Sequence, residues 1–250
     1  MPNIPANQIY IASASIDGHV CVSSLVDPSD VTLRNFKRPI QAVALSPEYK
    51  SDRMYLSGGL AGSLVLTVGG KAGVTAEANT NSAAAAASGW LGSIGLTSNT
   101  GRDTVLHSGE GAISTIKFSR TGKFVVWINE HGIKIMRSHL KLESANADHA
   151  WKRIAHIDRP NRRNWEEMAN VWKARAQWIS DKQLETEDLA AVTNGNTEAK
   201  TAQGFHKRTP EKLLVGWGDT AWIVHVHGER PGVGSRVGER SVGSADIVHK

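Results

Sequence analysis

The sequence predicts an all-β chain made of four copies of one four-stranded antiparallel unit, and three observations predict it. One hairpin pattern recurs four times, further apolar strands flank it in matching positions, and the copies keep a common phase along the chain. The hairpin is an apolar strand, a tight turn and a strongly alternating strand. It reads Ile11 to Val22 with Asp17-Gly18 at the turn, then Leu56 to Leu66 with Gly62. It returns as Val125 to Ile135 with Gly132, and as Leu214 to Val226 with Asp219. Glycine supplies positive-φ positions and aspartate bonds its own backbone, which is what a short antiparallel connection needs.

A strand precedes three of the hairpins: Ile40 to Pro47, Ile113 to Arg120 and, more weakly, Ala174 to Ser180. Another strand closes each unit: Val31 to Phe36, Asp103 to His107, Trp151 to His156 and Ala245 to His249. Four short antiparallel strands per unit is the plan of a β-propeller blade. The hairpins beginning at Tyr10 and Tyr55 start 45 residues apart, a blade period, and the later gaps widen to 69 and 89. Insertions account for the excess. Residues 69–102 are rich in Gly, Ala, Ser and Asn, and stretches 158–172 and 181–210 swell the last unit. A non-repetitive β-sandwich is the competing architecture, because alternating strands with turns fit it too. The expected organisation is therefore one partial propeller over 1–250, of about four blades, WD-repeat-like. It opens at a second strand and is expected to be a fragment of a larger propeller.

Composition narrows the function classes. The 250 residues carry 29 Lys+Arg against 24 Asp+Glu, and both signs are spread over the two halves. That distribution argues against a nucleic-acid partner, which would be met by clustered positive charge. A single cysteine, Cys21, excludes an intramolecular disulfide framework and any multi-cysteine metal site. Neither a basic-then-apolar leader nor an N-x-S/T sequon is present, so the cytosol is the expected compartment. Residues 78–101 hold no charge, but Ala, Asn, Ser, Thr and Gly dominate them, and their transfer energy is too poor for a membrane span.

Three runs resemble one family. They are Thr104 to Phe118 (TVLHSGEGAISTIKF), Ser13 to Val20 (SASIDGHV) and Leu214 to Thr220 (LVGWGDT). All three are similar to the N-terminal WD-repeat propeller of the vacuolar protein sorting-associated protein 41 family, subunits of the HOPS tethering complex. The fungal members are the nearest, through Gly89 to Gly92, Ile157 to Pro160 and Met168 to Arg175. The resemblance covers residues 10–227. It implies a non-catalytic scaffold, without cofactor, acting in protein transport to the vacuole and in tethering before membrane fusion. It also implies a peripheral location on late endosome and vacuole or lysosome membranes. The partners it implies are other HOPS subunits, a late-endosomal Rab GTPase and the AP-3 adaptor. The family continues with more propeller, a helical solenoid and a small zinc-binding domain, none of which is expected within these 250 residues. An alternative is a propeller interaction module of another scaffold, such as a ubiquitin-ligase substrate receptor.

Candidate sites follow from residue type and spacing. Asp17 and Asp219 stand where a WD-repeat turn aspartate belongs, with Ser13 or Ser15 as a partner for the first; the other two turns carry Ala61 and His131. In the uncharged insertion, Trp90, Leu91 and Ile94 fall within about one helical turn, with Leu96 beyond. Apolar residues on one face and Ser, Gly and Thr on the other are the pattern of a lipid-packing sensor, so this is a candidate membrane contact. A loop folding Trp90 and Leu91 onto the blade is the alternative. Residues 164–173 read as a helix capped by Asn164 with Glu167, its flank rich in arginine. Arg159, Arg162, Arg163, Trp165 and Trp172 are the candidate docking surface, against the alternative of a decoration packed on the rim. His225 and His227 share one strand face without a third metal ligand nearby in sequence, and no catalytic or metal residue is assigned. The Gly232–Gly238 run lacks the strand-to-helix context of a phosphate loop and reads as a loop.

Overall fold

Among the described residues sixteen strands form four four-stranded sheets. The computed structural model describes residues 5–78, 100–138, 151–161, 163, 165–168, 171–179, 211–227 and 244–249. In chain order the first sheet holds β1 (Tyr10–Ala14), β2 (His19–Ser24) and β3 (Val31–Asn35), with β7 (Thr75–Glu77) on its outer edge. The second runs β4 (Ile40–Leu45), β5 (Tyr55–Gly59), β6 (Leu64–Val68) and β8 (Arg102–His107). In the third, β9 (Ile113–Phe118), β10 (Phe124–Asn129), β11 (Gly132–Ser138) and β12 (Trp151–Asp158) follow one another. The fourth is β13 (Arg175–Ile179), β14 (Glu211–Trp217), β15 (Thr220–His227) and β16 (Ser244–His249). Sheets two to four are simple antiparallel meanders, the connectivity of a propeller blade. The chain folds as an all-β, partial β-propeller.

Packing explains the difference in sequence texture between sheets. The first and second sheets share a core of Val20, Val22 and Phe36 against Ile40, Tyr55 and Val65. Between the second and third lie Leu56, Leu64, Leu66, Ile113, Val125 and Trp127. Another core, between the third and fourth, joins Val126, Ile128, Ile133 and Ile135 to Leu213, Val215, Trp222 and Val224. The two middle sheets are therefore covered on both faces, and β10 is buried at all six positions. Hence it reads Phe-Val-Val-Trp-Ile-Asn, a nearly continuous apolar run of strand-forming residues. Among the described residues the outer two sheets are covered on one face. β1 and β13 accordingly alternate, and Ile11 and Leu214 stand 55% and 43% exposed on the uncovered sides. Each fully buried Leu or Ile contributes about 2 kcal/mol through apolar burial.

Polar contacts across blades differ from one interface to the next. Between the first two sheets, Arg34 donates from Nε to Asp103 Oδ2 at 3.1 Å, and within the second Thr67 donates to Asp103 Oδ1 at 2.7 Å. Arg34 and Asp103 side chains are 8% and 0% exposed, so this is a buried ion pair between the two blades. Between the third and fourth sheets the ties are neutral or single: Thr115 Oγ1 to the Ala174 carbonyl, Trp178 Nε1 to the Lys117 carbonyl, and Thr121 Oγ1 to Glu211.

β7 is the element that composition did not announce. It lies inside the 69–102 stretch, in the connection from β6 to β8 of the second sheet, yet it pairs with β3 of the first. The pairing is parallel, Leu33 with Thr75 and Asn35 with Glu77, where every other strand pair among the described residues is antiparallel. One-turn helices complete the fold, α1 (Tyr49–Asp52) before β5 and α2 (Trp165–Met168) before β13.

Candidate docking face

In a four-stranded meander the turn between the second and third strands lies at the same end as the connection to the next unit. The four hairpin turns and the three inter-unit loops therefore gather on one face. Close backbone contact locks them together. A methyl added at Gly18 (φ +99°) would sit 3.0 Å from the Arg38 nitrogen, and one at Gly62 (φ +69°) 2.8 Å from the Gly111 carbonyl oxygen. Both glycines supply the left-handed backbone and the missing Cβ that this approach requires.

The first turn is held by Asp17. Its Oδ1 accepts the His19 amide at 3.0 Å and lies 3.1 Å from His19 Nδ1, while the Asp17 amide donates to Ser15 Oγ at 3.4 Å. The His19 amide, then the Ser15 hydroxyl, hold this exposed carboxyl below the usual carboxylate range. In the second turn, where Ala61 replaces the acid, Arg38 from the preceding loop donates to Ser63 Oγ at 3.1 Å. The third turn is organised by Asn129, which the sequence reading passed over in favour of His131. Asn129 Oδ1 accepts the amides of His131 at 3.0 Å and Gly132 at 3.2 Å, and also bonds Lys134 Nζ. An Asx residue two positions before a His-Gly pair is a readable turn signal. At the fourth turn Asp219 Oδ1 accepts the Thr220 hydroxyl at 3.0 Å.

Beneath the third turn lies a buried cation. Lys134 is fully enclosed, with Nζ 3.0 Å from Glu110 Oε2 and 4.9 Å from the Trp127 ring centroid. Burial lowers the lysine pKa, and Glu110 opposes that shift. Glu110 also reaches Arg153 at 3.3 Å and His107 at 3.5 Å. This cluster joins the second blade to the third, its lysine enclosed and its Arg153 end open to solvent.

The segment between β12 and β13 lies at the fourth turn. Trp172 is half-buried against the core between sheets three and four, and its ring covers Gly218: a methyl there would meet Cδ2 at 3.0 Å. The Arg159 amide donates to the His131 carbonyl at 3.2 Å, fixing the start of the segment to the third turn. Arg163 is exposed. Trp172 and Asp219 thus come together at one turn, whereas Asp17 lies on the first blade. Arg162, with the side chain of Trp165, lies outside the described residues, as do Trp90, Leu91, Ile94 and Leu96. His225 and His227 are half-buried on β15, Cys21 sits mid-β2, and no group of three or more His, Cys, Asp or Glu converges among the described residues.

Apolar side chains also stand out on this face. Ile16 is 73% exposed at the first turn, Leu60 54% at the second, and Val171 70% in the loop beside the fourth. Polar pairs stand at the same ends of the strands, His156 with Asp158 and Lys37 with Glu77. Bulky apolar points within a mixed polar rim are the makings of a protein-binding surface.

Comparison with known proteins agrees with this architecture. Residues 3–76 match the Vps41 family model described as "Vps42 beta-propeller". The chain is 35% identical over 153 residues to the vacuolar protein sorting-associated protein 41 homolog of Solanum lycopersicum, covering 60% of this chain and 12% of that protein. It is 48% identical over 58 residues to vacuolar protein sorting-associated protein 41 of Saccharomyces cerevisiae, covering 23% and 6%. Against the Schizosaccharomyces pombe protein of the same name it is 32% identical over 127 residues, covering 50% and 11%. The matches thus span about an eighth or less of these relatives' length. Among solved structures the chain overlays on apo ctPRC2 in an autoinhibited state, with TM-score 0.48 and 12% identity over 87% of this chain and 43% of that one.

Proposed function

We propose that this chain, similar to the propeller region of Vps41-type proteins, is a non-catalytic docking platform of a HOPS subunit in vacuolar protein sorting. The face of turns and loops receives other subunits of the tethering complex, holding them rigidly while vesicle and vacuole membranes are brought together. A late-endosomal Rab GTPase and the AP-3 adaptor are the further partners this reading assigns to the whole protein, which works peripherally on late endosome and vacuole or lysosome membranes. No helix among the described residues is long and apolar enough to cross a membrane.

The observation that carries the docking reading is the exposure of Ile16, Leu60 and Val171 on one turn-lined face. Exposed apolar side chains at turn tips gain when a partner covers them, and the blades beneath hold them in fixed positions. Arg159 and Arg163 beside Val171 supply the polar rim. The test is a binary pull-down of purified chain against each HOPS subunit, the Rab GTPase and AP-3. Capture of at least one, weakened by Arg159→Glu/Arg163→Glu, supports the platform. Capture of none by a folded, monodisperse chain, with capture by a ubiquitin-ligase adaptor instead, moves the chain to an unrelated scaffold.

A further inference from the structure

β7 occupies the outer edge of β3, and everything about its attachment is slight. It is three residues long and parallel, and it arrives from the neighbouring blade. Its ladder on β3 is only three residue pairs long, and flanking backbone bonds extend it: Gly73 N to the Val31 carbonyl at 2.7 Å, Leu33 N to the Val74 carbonyl at 3.4 Å, and Ala78 N to the Asn35 carbonyl at 2.8 Å. Of its side chains only Ala76 is buried, and a methyl is the smallest apolar anchor available. Glu77 pairs with Lys37 at 2.6 Å, but both side chains are more than 60% exposed, where an ion pair contributes little. Glycines at positive φ stand at its approach, Gly69, Gly70 and Gly73, and at the return, Gly101. Gly69 and Gly101 meet at the base, so the strand can leave without disturbing the β6–β8 pairing.

The strand beneath it is the opposite. β3 pairs with β2 along its whole length, and Arg34 on it is locked to Asp103. Release of β7 therefore exposes an ordered strand edge with free carbonyls at Val31 and Asn35 and a free Leu33 amide. Such an edge is a template for an added strand.

We propose that the outer edge of β3 is a strand-addition site, occupied at rest by the chain's own β7 and open to an extended segment of a partner protein. The resident strand states the chemistry of the visitor: a small residue opposite Arg34, followed by an acidic residue that reaches Lys37. β7 is then a built-in competitor that sets the threshold for entry. The proposal stands on the strand geometry alone, independent of which complex the protein joins.

Hydrogen exchange on the unaltered chain is the first readout. The Leu33 amide should exchange at least a hundredfold faster than that of Val126 in β10; equal protection would show that β7 does not open, and would overturn the proposal. The second is binding of a labelled peptide with the sequence of residues 71–78, KAGVTAEA. It should bind Ala76→Asp, which ejects the resident strand, at least tenfold more tightly than the unaltered chain, and a peptide with Lys in place of its Glu should lose that gain. A chain with residues 74–78 replaced by Gly and Ser gives the same comparison should Ala76→Asp fold poorly. Absence of peptide binding to a folded strap-free chain would sink the idea.

Discussion

Arg53 reaches from the loop before β5 to the neighbouring blade and holds both carboxylate oxygens of Asp30, at 2.7 Å through Nη1 and 2.8 Å through Nη2. Its backbone takes the left-handed conformation, φ +48°, at the end of α1. The guanidinium lies 5.4 Å from the ring centroid of Tyr10 and 5.5 Å from that of Tyr49, and Tyr10 donates its hydroxyl to Asp30 at 2.6 Å. One fork thus ties two blades, two aromatic rings and a loop. Both ionic side chains are less than a quarter exposed, so the pair is screened far less than a surface pair.

This pair makes stability depend on acid in a stated direction. The Arg53 hydrogen bonds hold the Asp30 carboxyl below the usual carboxylate range, against the upward push of burial. A depressed carboxylate pKa contributes stability that is present above the unfolded value, about 4, and is lost as pH falls through the folded value. Asp30→Asn should therefore unfold at a lower temperature than the parent at pH 7, and the gap should begin to narrow below about pH 4 and close as pH falls past the lower folded value. Thermal melts at pH 7 and pH 3 check this; a gap that persists undiminished at pH 3 would show that charge is not what the pair contributes.

The Lys134 cluster predicts an asymmetry between its two ends. Removing Glu110 leaves an enclosed ammonium short of its counter-charge, whereas Lys134→Met removes the charge and keeps most of the apolar stem. Glu110→Ala should cost about 3 kcal/mol and Lys134→Met markedly less. Urea unfolding of the two variants measures the difference, and equal losses would contradict the assignment.

Two glycines in comparable strands should answer oppositely to one methyl. At Gly59 an added Cβ would fall 2.0 Å from the Pro39 carbonyl oxygen, while at Gly216 nothing lies within 4 Å. Gly59→Ala should destabilise by about 3 kcal/mol through overpacking against backbone. Gly216→Ala should stay within about 0.5 kcal/mol of the parent. Chemical denaturation of both reads this directly.

The membrane reading of Trp90, Leu91, Ile94 and Leu96 makes its own prediction. Purified chain should float with small, highly curved liposomes, and Trp90→Asp/Ile94→Asp should abolish flotation. Flotation unchanged by the double substitution would remove these residues from any membrane role.

The strands were legible because the middle blades demand apolar runs and the outer ones alternation, as β10 and β1 show. The turns were legible through Gly18, Gly62 and Gly132. What stayed hidden depends on partners far apart in the chain. Arg53 and Asp30 are 23 residues apart and Arg34 and Asp103 are 69 apart, and no local pattern joins them. β7 was hidden for a second reason: three residues of Thr-Ala-Glu carry almost no strand preference, and their pairing comes from β3 of another blade. The exposed Ile16 and Leu60 were visible as residues, but their place on a shared face needed the blade arrangement.

The central reading, a rigid platform that binds through its turn face, is tested most directly by Ile16→Asp/Leu60→Asp. Both side chains are largely exposed, so the fold should keep its melting temperature. Affinity for the HOPS subunit that the unaltered chain captures should fall at least tenfold by calorimetry or interferometry. Undiminished affinity in a folded double variant would contradict the account and place the docking surface elsewhere on the propeller.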